Sequence, residues 1–384
     1  MKICLIGGIY GLRGEASAYL RLTPETTLEA GLRNAGHEVT TLSHYCGADF
    51  GRFDVVHVHH LSYGAARLAS DPSPVPFVFT PHDASEMSGM RLSIERAFAL
   101  KYVLSRADRI VSLSAAEARF QQQRHGIEAG RIATIPNGID ANRFSFEPRR
   151  SRNSSGKGRP WRLLFAGQLI ELKGCDLILR AVASLDEDIE LTLAYQSATL
   201  EAELESLAKA LGILGRVHFV GKLEPGRLAE LYRKSDLLVL ASRTEALPSV
   251  ITEAMLTGLP FVSTDVGGIR EQAAGFGHLL PRRSAEDLAA GIRHVLIHYD
   301  RFAESASSMS RYARSTYSIQ AMVECHEALY QGLLGERPRR FAWRRAALNP
   351  VVRAAVERWG SRSGSPASET AATIPNQSTA EERL

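Results

Sequence analysis

The stretch from Ser242 to Glu271 reads S-R-T-E-A-L-P-S-V-I-T-E-A-M-L-T-G-L-P-F-V-S-T-D-V-G-G-I-R-E. Pro248 favours a helix start, because proline presets φ and lacks an N–H group that the first helical turn leaves unused. Gly258 followed by Pro260 predicts where this helix ends. The apolar residues after Pro260 are typical of a buried strand. The stretch therefore predicts a loop, a helix and a strand, as in a parallel α/β sheet.

Two glutamates stand eight positions apart around this helix start. Glu245 precedes the helix and Glu253 lies on it, so we expect the two carboxylates to bind separately rather than act as an acid/base pair. The backbone N–H groups of Ser249 and Val250 are predicted to lie at the positive helix end, where a phosphate binds without a metal. Carboxylates around a phosphate site suggest a nucleotide-sugar site.

Short apolar runs bounded by glycine or proline alternate with amphipathic segments of helical length, which is typical of βαβ units. We predict two doubly wound α/β domains that face one another across a cleft. Ligands of such sheets bind beyond the carboxyl ends of the strands. Strands are predicted at 3–6, 39–42, 55–58, 77–80, 110–113 and 132–135, and then at 162–166, 190–194, 217–220, 237–240 and 260–263.

Composition excludes several classes of protein. The 384 residues are 45% hydrophobic, which suits two domains. A net charge of +4 is too small for a protein that neutralises many nucleic-acid phosphates. The four cysteines form no C-x-x-C pair, so we expect neither zinc nor disulfides, and a reducing, cytoplasmic location. The N-terminal apolar run is too short for a signal peptide, and no run reaches the roughly 18 apolar residues of a membrane span.

The basic, glycine-containing segment 147–160 is predicted to be a linker or exposed loop. It separates an N-terminal Rossmann-like domain at 1–146 from a second one at 161–315. Residues 316–359 are predicted to form helices that return to the first domain. The Ser, Thr, Ala and Glu composition of 360–384 predicts a disordered tail.

Four motifs together resemble glycosyltransferase family 4. They are the Glu245/Glu253 pair, G-Q-L-I-E-L-K-G at 167–174, I-P-N-G-I-D at 135–140, and T-D-V-G-G-I-R-E at 264–271. The resemblance covers about residues 1–335 and implies the GT-B fold, with the acceptor on the first domain and the nucleotide-sugar on the second. It also implies retaining chemistry that needs neither a divalent cation nor another cofactor.

The resemblance implies three catalytic residues. Lys173 lies in the loop after the first strand of the second domain and is similar to the lysine that opposes charge on the departing diphosphate. Glu245 resembles the glutamate that contacts hydroxyls of the transferred sugar. His82, in F-V-F-T-P-H-D, resembles the histidine beside the anomeric centre.

Donor-binding residues also follow from the resemblance. Glu253 resembles the glutamate that accepts hydrogen bonds from both ribose hydroxyls. Gln168 occupies a position where the family usually has arginine. Either it donates neutral hydrogen bonds, or Arg243 or Arg13 supplies the missing charge.

Backbone and loop contacts complete the predicted donor site. Ser249 and Val250 are expected to donate their N–H groups to phosphate. Gly8 belongs to a glycine-containing loop after the first strand that either contacts a phosphate or only makes a tight turn, since its spacing is not G-x-G-x-x-G. Lys222 either contacts the base or lies in a solvated loop. Residues 195–199 lack the glycine-rich turn of many relatives. The way in which those relatives recognise the base of the donor is therefore harder to assign to residues of this chain.

Two motifs have simpler structural explanations. Alternation places two of His57, His59 and His60 on one strand face, which invites a metal site. We reject it because no acidic or cysteine cluster accompanies them. Asn137 and Gly138 predict a turn with left-handed backbone.

The segment 337–359 is rich in arginine and predicts a short amphipathic helix from Pro350 to Trp359. Its apolar face either docks on the first domain, which we favour, or lies on an anionic membrane beside a lipid-linked acceptor. The second option corresponds to peripheral attachment at the inner face of the membrane.

The expected activity is transfer of a hexose-type sugar from a nucleoside diphosphate to an acceptor hydroxyl in polysaccharide or glycolipid synthesis. The acceptor is a sugar, a lipid-linked molecule or a small molecule. One alternative is a nucleotide-sugar 2-epimerase of the same fold, which needs acid/base carboxylates. The other is a noncatalytic subunit that binds the nucleotide-sugar, suggested by Gln168 and the altered 195–199 loop.

Overall fold

Both series of apolar runs form parallel sheets in the computed structural model, which describes residues 1–11, 23–43, 49–69, 75–82, 86–87, 89–149 and 159–335. The chain divides into two compact units. The first comprises Met1–Ser112, Ala118–Ile135 and the chain from Val323 onward, and the second comprises Leu113–Glu117 and Pro136–Met322.

The first unit contains a six-stranded parallel sheet in the order β2-β1-β3-β4-β5-β6. Its four inner strands are largely buried, and the two edge strands are mostly half-buried. The strands are β1 (Lys2–Ile6), β2 (Glu38–Leu42), β3 (Val55–His59), β4 (Phe77–Thr80), β5 (Arg109–Ser112) and β6 (Ile132–Thr134). The helices that precede the second sheet are α1 (Pro24–Asn34), α2 (Tyr63–Ala69), α3 (Ile94–Arg106) and α4 (Ala115–His125).

The second unit contains a parallel sheet in the order β12-β11-β10-β7-β8-β9. The strands are β7 (Trp161–Ala166), β8 (Ile189–Ala194), β9 (Val217–Gly221), β10 (Leu237–Leu240), β11 (Phe261–Thr264) and β12 (His278–Leu280). The helices are α5 (Cys175–Ala183), α6 (Glu201–Ala210), α7 (Pro225–Lys234), α8 (Ser249–Thr257), α9 (Ile269–Ala273), α10 (Ala285–Ile297), α11 (Tyr299–Tyr317) and α12 (Ile319–Gly335). The fully buried strands β10 and β11 run through the core of this unit.

All eleven predicted strands are present with boundaries within one residue, and the prediction of two α/β sheets is confirmed. The sequence analysis missed β12, which has only three residues, two of them half-buried. Such a run has neither the length nor the apolar content that marks the other strands.

Helix α8 begins one residue later than expected. Pro248 has an extended ψ of 120° and forms the N-cap, so Ser249 rather than Pro248 is the first helical residue. The predicted stop is confirmed, because Gly258 ends the helix with a left-handed φ of 75°. Glu245 precedes α8 and Glu253 lies on it.

The prediction of left-handed backbone at Asn137 and Gly138 is wrong, since neither residue has a positive φ. Gly138 is required for a different reason. A β-carbon there would lie 2.7 Å from Cα of Ile319, at the start of α12. The turn is therefore determined by close packing rather than by φ.

The segment 147–160 is predicted to be a linker or exposed loop, and both of its described ends are anchored to the second unit. Arg149 donates to five carbonyl oxygens at 2.8–3.2 Å, and a guanidinium in this place neutralises the partial charge of two helix ends. Arg159 makes a bidentate pair with Asp236, with both N–O distances at 2.7 Å. The five acceptors are the carbonyls of Tyr232, Arg233 and Ser235 at the end of α7, and of Thr257 and Gly258 at the end of α8.

Helix α12 contributes to both units, because the division between them falls at Met322 and Val323. Within the described residues no helix is both long and apolar enough to cross a membrane. The predicted amphipathic helix in 337–359, the tail 360–384 and Arg13 lie outside the described residues.

Candidate functional site

The strand order of the second sheet reverses between β7 and β10, which are neighbours. The loops that follow two such strands flank a crevice at the carboxyl edge of the sheet, where α/β proteins bind their ligands. The loop after β7 contains Gln168 and Lys173, and the loop after β10 contains Arg243 and Glu245. The topology thus brings two separate motifs to one point.

Lys173 and Glu245 form an ion pair at this point. Nζ of Lys173 lies 2.6 Å from Oε1 of Glu245, and the two side chains are 23% and 10% exposed. The buried Ser242 donates its hydroxyl to the same Oε1 at 2.6 Å. The carboxylate is therefore fixed from two sides, while the lysine keeps N–H groups available for a further acceptor.

Three glycines allow these loops to approach so closely. Gly174 has a φ of 66°, and a β-carbon there would lie 2.3 Å from the carbonyl oxygen of Ala241. Gly267 has a φ of 56°, and its β-carbon would lie 1.7 Å from the carbonyl oxygen of Glu245. Gly268 donates its N–H to that same oxygen at 3.2 Å. The T-D-V-G-G-I-R-E motif thus positions the Glu245 loop.

The start of helix α8 lies directly after this loop. The first N–H groups of a helix have no acceptor within it, and no described side chain caps α8. Ser249 and Val250 are the first two residues of the helix and are half-exposed. The buried Gln272 donates to Pro248 O at 2.9 Å and to Thr252 Oγ1 at 2.8 Å, which fixes the start of the helix.

Glu253 lies on α8 with one carboxylate oxygen, Oε2, sealed from solvent and without a hydrogen-bond partner among the described residues. Burial raises the pKa of Glu253 to about 7, while the Tyr232 hydroxyl and the charge of Arg143 oppose the shift. Tyr232 is fully buried, with its ring edge-on to Phe144 at 5.6 Å between centroids. Oε2 is therefore a buried acceptor that the hydrogen bonds of the described residues leave unsatisfied, next to the Tyr232 hydroxyl.

The remaining predicted donor contacts of this unit are exposed. Gln168 lies in the loop after β7, and Lys222 follows the end of β9. Arg243, one of the residues predicted to supply the charge missing at Gln168, pairs with Glu171, with Nη2 and Oε1 3.1 Å apart. Its backbone N–H binds Leu172 O at 2.8 Å, so Arg243 borders the Lys173 loop.

Polar residues also gather at the reversal point of the first sheet, between β1 and β3. Gly8 is exposed at the start of a 3₁₀ turn after β1. Tyr10 in that turn donates to Glu25 O at 3.1 Å. The carboxylate of Glu25 makes a short hydrogen bond with Nε2 of His60. Burial raises the pKa of Glu25, but the bond to His60 and the neighbouring histidines outweigh it, so the pKa is lowered.

The histidines of V-V-H-V-H-H form a row of rings with His82. His57 and His59 stack with centroids 4.3 Å apart, and the rings of His59 and His82 lie edge to edge with centroids 5.2 Å apart. Nδ1 of His59 lies 2.9 Å from Nε2 of His82. The described residues contain no group of three or more acidic, histidine or cysteine side chains that could hold a metal.

Several residues of these sites were not singled out from the sequence. Ser242 stands three positions before Glu245, and a hydroxyl that close to a loop carboxylate was the available signal. Gln272 follows the fourth motif directly. Tyr232 and Tyr330 gave no signal, because each reaches its site only through the tertiary fold.

The second unit therefore combines a cation held by a carboxylate, open helix amides and a carboxylate oxygen without a donor. The Lys173 ammonium and the first amides of α8 can bind the negative charge of a diphosphate. The unpaired carboxylate oxygen of Glu253 can accept a hydrogen bond from a hydroxyl. Together these groups match a ligand with a phosphate centre and hydroxyls on both sides of it.

Comparison with known proteins agrees with this chemistry. Residues 45–143 match the family described as Glycosyltransferase Family 4, and residues 148–316 match Glycosyl transferases group 1. A D-inositol 3-phosphate glycosyltransferase of Geodermatophilus obscurus is 33% identical over 269 residues, which are 64% of this chain and 60% of the relative. The chain thus spans about three fifths of the length of that relative.

Two solved structures show the same fold. Sucrose-phosphate synthase from Thermosynechococcus elongatus has a TM-score of 0.69 at 19% identity, covering 87% of this chain and 99% of the other. HepE of Anabaena in complex with UDP has a TM-score of 0.68 at 19% identity, covering 86% of this chain and 100% of the other. The fold is GT-B, and the chain belongs to glycosyltransferase family 4.

Proposed function

We propose that this protein is a retaining glycosyltransferase that moves a hexose-type sugar from a nucleoside diphosphate to an acceptor hydroxyl. The observation that carries the proposal is the Lys173–Glu245 ion pair beside the open end of α8, at the reversal point of the second sheet. A cation, a carboxylate and helix amides are there within reach of one diphosphate-sugar. This arrangement is the basis for placing the donor on the second unit.

Lys173 has three N–H groups and uses one of them on Glu245. It can therefore donate to a diphosphate oxygen without losing the carboxylate that positions it. The amides of Ser249 and Val250 donate to the phosphates from the helix end. Because the diphosphate gains charge as the sugar departs, these donors stabilise the transition state more than the ground state.

Glu253 is proposed to bind the ribose of the nucleoside. Two adjacent ribose hydroxyls can each donate to one carboxylate oxygen, and such bonds to a charged acceptor are strong. The Oε2 of Glu253 makes no hydrogen bond of ordinary geometry within the described part of the chain, although the nearby Tyr232 hydroxyl lowers the pKa of this carboxyl. Because Oε2 is sealed from solvent, a ribose hydroxyl reaches it only if the surrounding side chains move, and the resulting bond would favour the ionised carboxylate.

In the proposed reaction the bond from the sugar C1 to the diphosphate oxygen breaks, and a bond from the acceptor oxygen to C1 forms on the same face. The acceptor proton passes to the departing diphosphate oxygen, so no side chain is needed as the base. The acceptor oxygen attacks C1 directly, so no side chain acts as nucleophile. Glu245 is proposed to contact hydroxyls of the transferred sugar, and His82 is a further proposed contact. No metal or other cofactor takes part in this scheme.

The comparisons guide the choice of substrates to test. HepE was solved in complex with UDP-glucose, which supports UDP-sugars as the first donors. The relative from Geodermatophilus obscurus takes its name from D-inositol 3-phosphate, which makes an inositol phosphate a reasonable first acceptor. Sugar and lipid-linked acceptors of polysaccharide or glycolipid synthesis follow in the same panel.

The test is a thermal-shift panel of UDP-, GDP- and ADP-sugars on the full chain, because a ligand that binds only the folded state raises its melting temperature. We expect one base to stabilise the protein, and that donor is then incubated with and without acceptors. A transfer product with retained anomeric configuration supports the proposal. A flat response to all donors, or an epimerised donor without acceptor, would overturn it.

A further inference from the structure

His82 is held in an unusual backbone conformation. It follows β4 by two residues with a φ of 50°, in the left-handed region that residues with a β-carbon rarely adopt. Such a conformation is strained and persists only where its surroundings enforce it. His60, which follows β3 directly, has a φ of 62°. Two neighbouring strand ends therefore share the same strain.

The row of rings behind His82 fixes its position. The ring of His59 lies nearly coplanar with that of His82, at an interplanar angle of 20°, and its Nδ1 lies 2.9 Å from Nε2 of His82. The ring of His57 stacks on that of His59, with centroids 4.3 Å apart. Both nitrogens of His57 are occupied, by the Tyr330 hydroxyl and by Thr80 Oγ1, each at 2.7 Å. The row is thus anchored at its inner end.

Burial determines the protonation of the two inner rings. It lowers the pKa of both His57 and His59 well below the usual value of 6.5, so each ring is neutral and carries one N–H. Nε2 of His59 is sealed from solvent and has no partner among the described residues. An N–H group there would be a buried donor without an acceptor, which is rare in folded proteins. The proton of His59 is therefore placed on Nδ1.

This placement decides how His82 is protonated. If Nδ1 of His59 donates, Nε2 of His82 must accept, and the neutral His82 ring then carries its proton on Nδ1. Burial also lowers the pKa of His82, to about 3, so the ring stays neutral at physiological pH. Nδ1 of His82 has no protein partner in the part of the chain that the structure describes.

We propose that His59 is a positioning residue, which donates from Nδ1 to Nε2 of His82 and leaves Nδ1–H of His82 as a hydrogen-bond donor for an oxygen atom of the substrate. His82 then acts as a donor and not as a base through Nε2. The identity of that oxygen, on the transferred sugar, rests on the proposed function. The protonation of the pair does not.

The test uses His59→Asn and His59→Leu in the full chain. The side-chain nitrogen of asparagine is as many bonds from Cα as Nδ1 of histidine, so His59→Asn retains the donor and His59→Leu removes it. The first readout is ¹⁵N NMR of protein labelled at histidine, with the His82 signals identified by their loss in His82→Asn. We expect Nδ1–H in the parent and in His59→Asn, and a mixture of both neutral forms in His59→Leu.

The second readout is kinetic. We expect His59→Leu to lower kcat about 10–100-fold with little change in the KM of the donor, and His59→Asn to restore most of the loss. The exposed His218 provides the control His218→Asn, which should change neither measurement. An Nε2–H form of His82 in the parent would overturn the proposal, even if no sugar transfer were found. Equal kinetic losses in both His59 variants would reduce His59 to a packing residue.

Discussion

Lys173 and Glu245, which are 72 positions apart in the sequence, meet in a 2.6 Å ion pair at the edge of the second sheet. The pair is partly buried, and Ser242 satisfies the carboxylate from a second side. A buried charge without a partner would be costly, so each residue makes the other tolerable in the unliganded protein. The site is consequently charge-balanced before a ligand arrives.

Replacing Lys173 with alanine should lower kcat for sugar transfer by about 10²–10³, the loss typical of removing one donor that stabilises developing charge. Donor affinity should change much less, because the helix amides and Glu253 remain. The measurement is steady-state kinetics together with calorimetric binding of the donor. Lys209 is an exposed lysine on α6, and Lys209→Ala should behave like the parent. If Lys173→Ala left donor hydrolysis and transfer unchanged, the catalytic assignment would be wrong.

Gly267→Ala should disrupt the same site through the backbone of Glu245. The new β-carbon would lie 1.7 Å from the carbonyl oxygen of Glu245 at a φ of 56°, so the loop must move. We expect a loss of at least ~2 kcal/mol in unfolding free energy, together with most of the activity. Urea unfolding measures the first effect. Gly226 on α7 has open space around it, and Gly226→Ala should be neutral or slightly stabilising.

The raised pKa of Glu253 predicts how stability depends on pH. The folded-state value of about 7 exceeds the usual 4.5, so the folded protein holds this proton more tightly than the unfolded chain does. This contribution is complete below about pH 4.5 and is lost as the pH rises through 7. Glu253→Gln should therefore gain stability relative to the parent between pH 5 and pH 8, by about 1–3 kcal/mol, since one pKa unit corresponds to ~1.4 kcal/mol.

Urea unfolding of both proteins at several pH values measures this difference. Glu203, an exposed glutamate on α6, supplies the control Glu203→Gln, whose difference from the parent should not vary with pH in this range. A constant difference for Glu253→Gln would show that Glu253 is already ionised in the folded protein at pH 5.

Arg149→Met should destabilise the second unit. The variant leaves five carbonyl oxygens at the ends of α7 and α8 without their donor, and we expect a loss on the order of 2–4 kcal/mol. Thermal unfolding with and without the donor sugar measures it. Arg180→Met, at an exposed position on α5, is the matched control and should leave the melting temperature within error. Equal behaviour of the two variants would contradict the anchoring role of Arg149.

The fold followed from the sequence wherever local pattern and burial coincide. The apolar runs at Phe77–Thr80 and Leu237–Leu240 were placed without error, because fully buried parallel strands need continuous apolar residues. The role of Arg149 was not predicted, since a basic segment between domains resembles a solvated loop in every local respect. Only the tertiary fold shows that two helices end at this arginine.

The individual residues of the candidate site could be predicted from the sequence, but the contacts between them could not. Motifs identified Lys173, Glu245 and Glu253 separately, while the ion pair depends on β7 and β10 being neighbours. The strand alternation of His57 and His59 was visible in the sequence. The partner of His57, Tyr330, is 273 positions away, and no local pattern connects two such residues.

Tyr330 is fully buried in the first unit and lies near the end of α12. The ribosome synthesises β3 early and Tyr330 late. His57 therefore has no Tyr330 hydroxyl to bind until the whole second unit has been synthesised. The first sheet can collapse during that interval, but Nδ1 of His57 still lacks the Tyr330 hydroxyl. We therefore expect nascent chains that stop before α12 to hold the first unit in an open, chaperone-dependent state, with maturation of the protein timed by the arrival of its last helix.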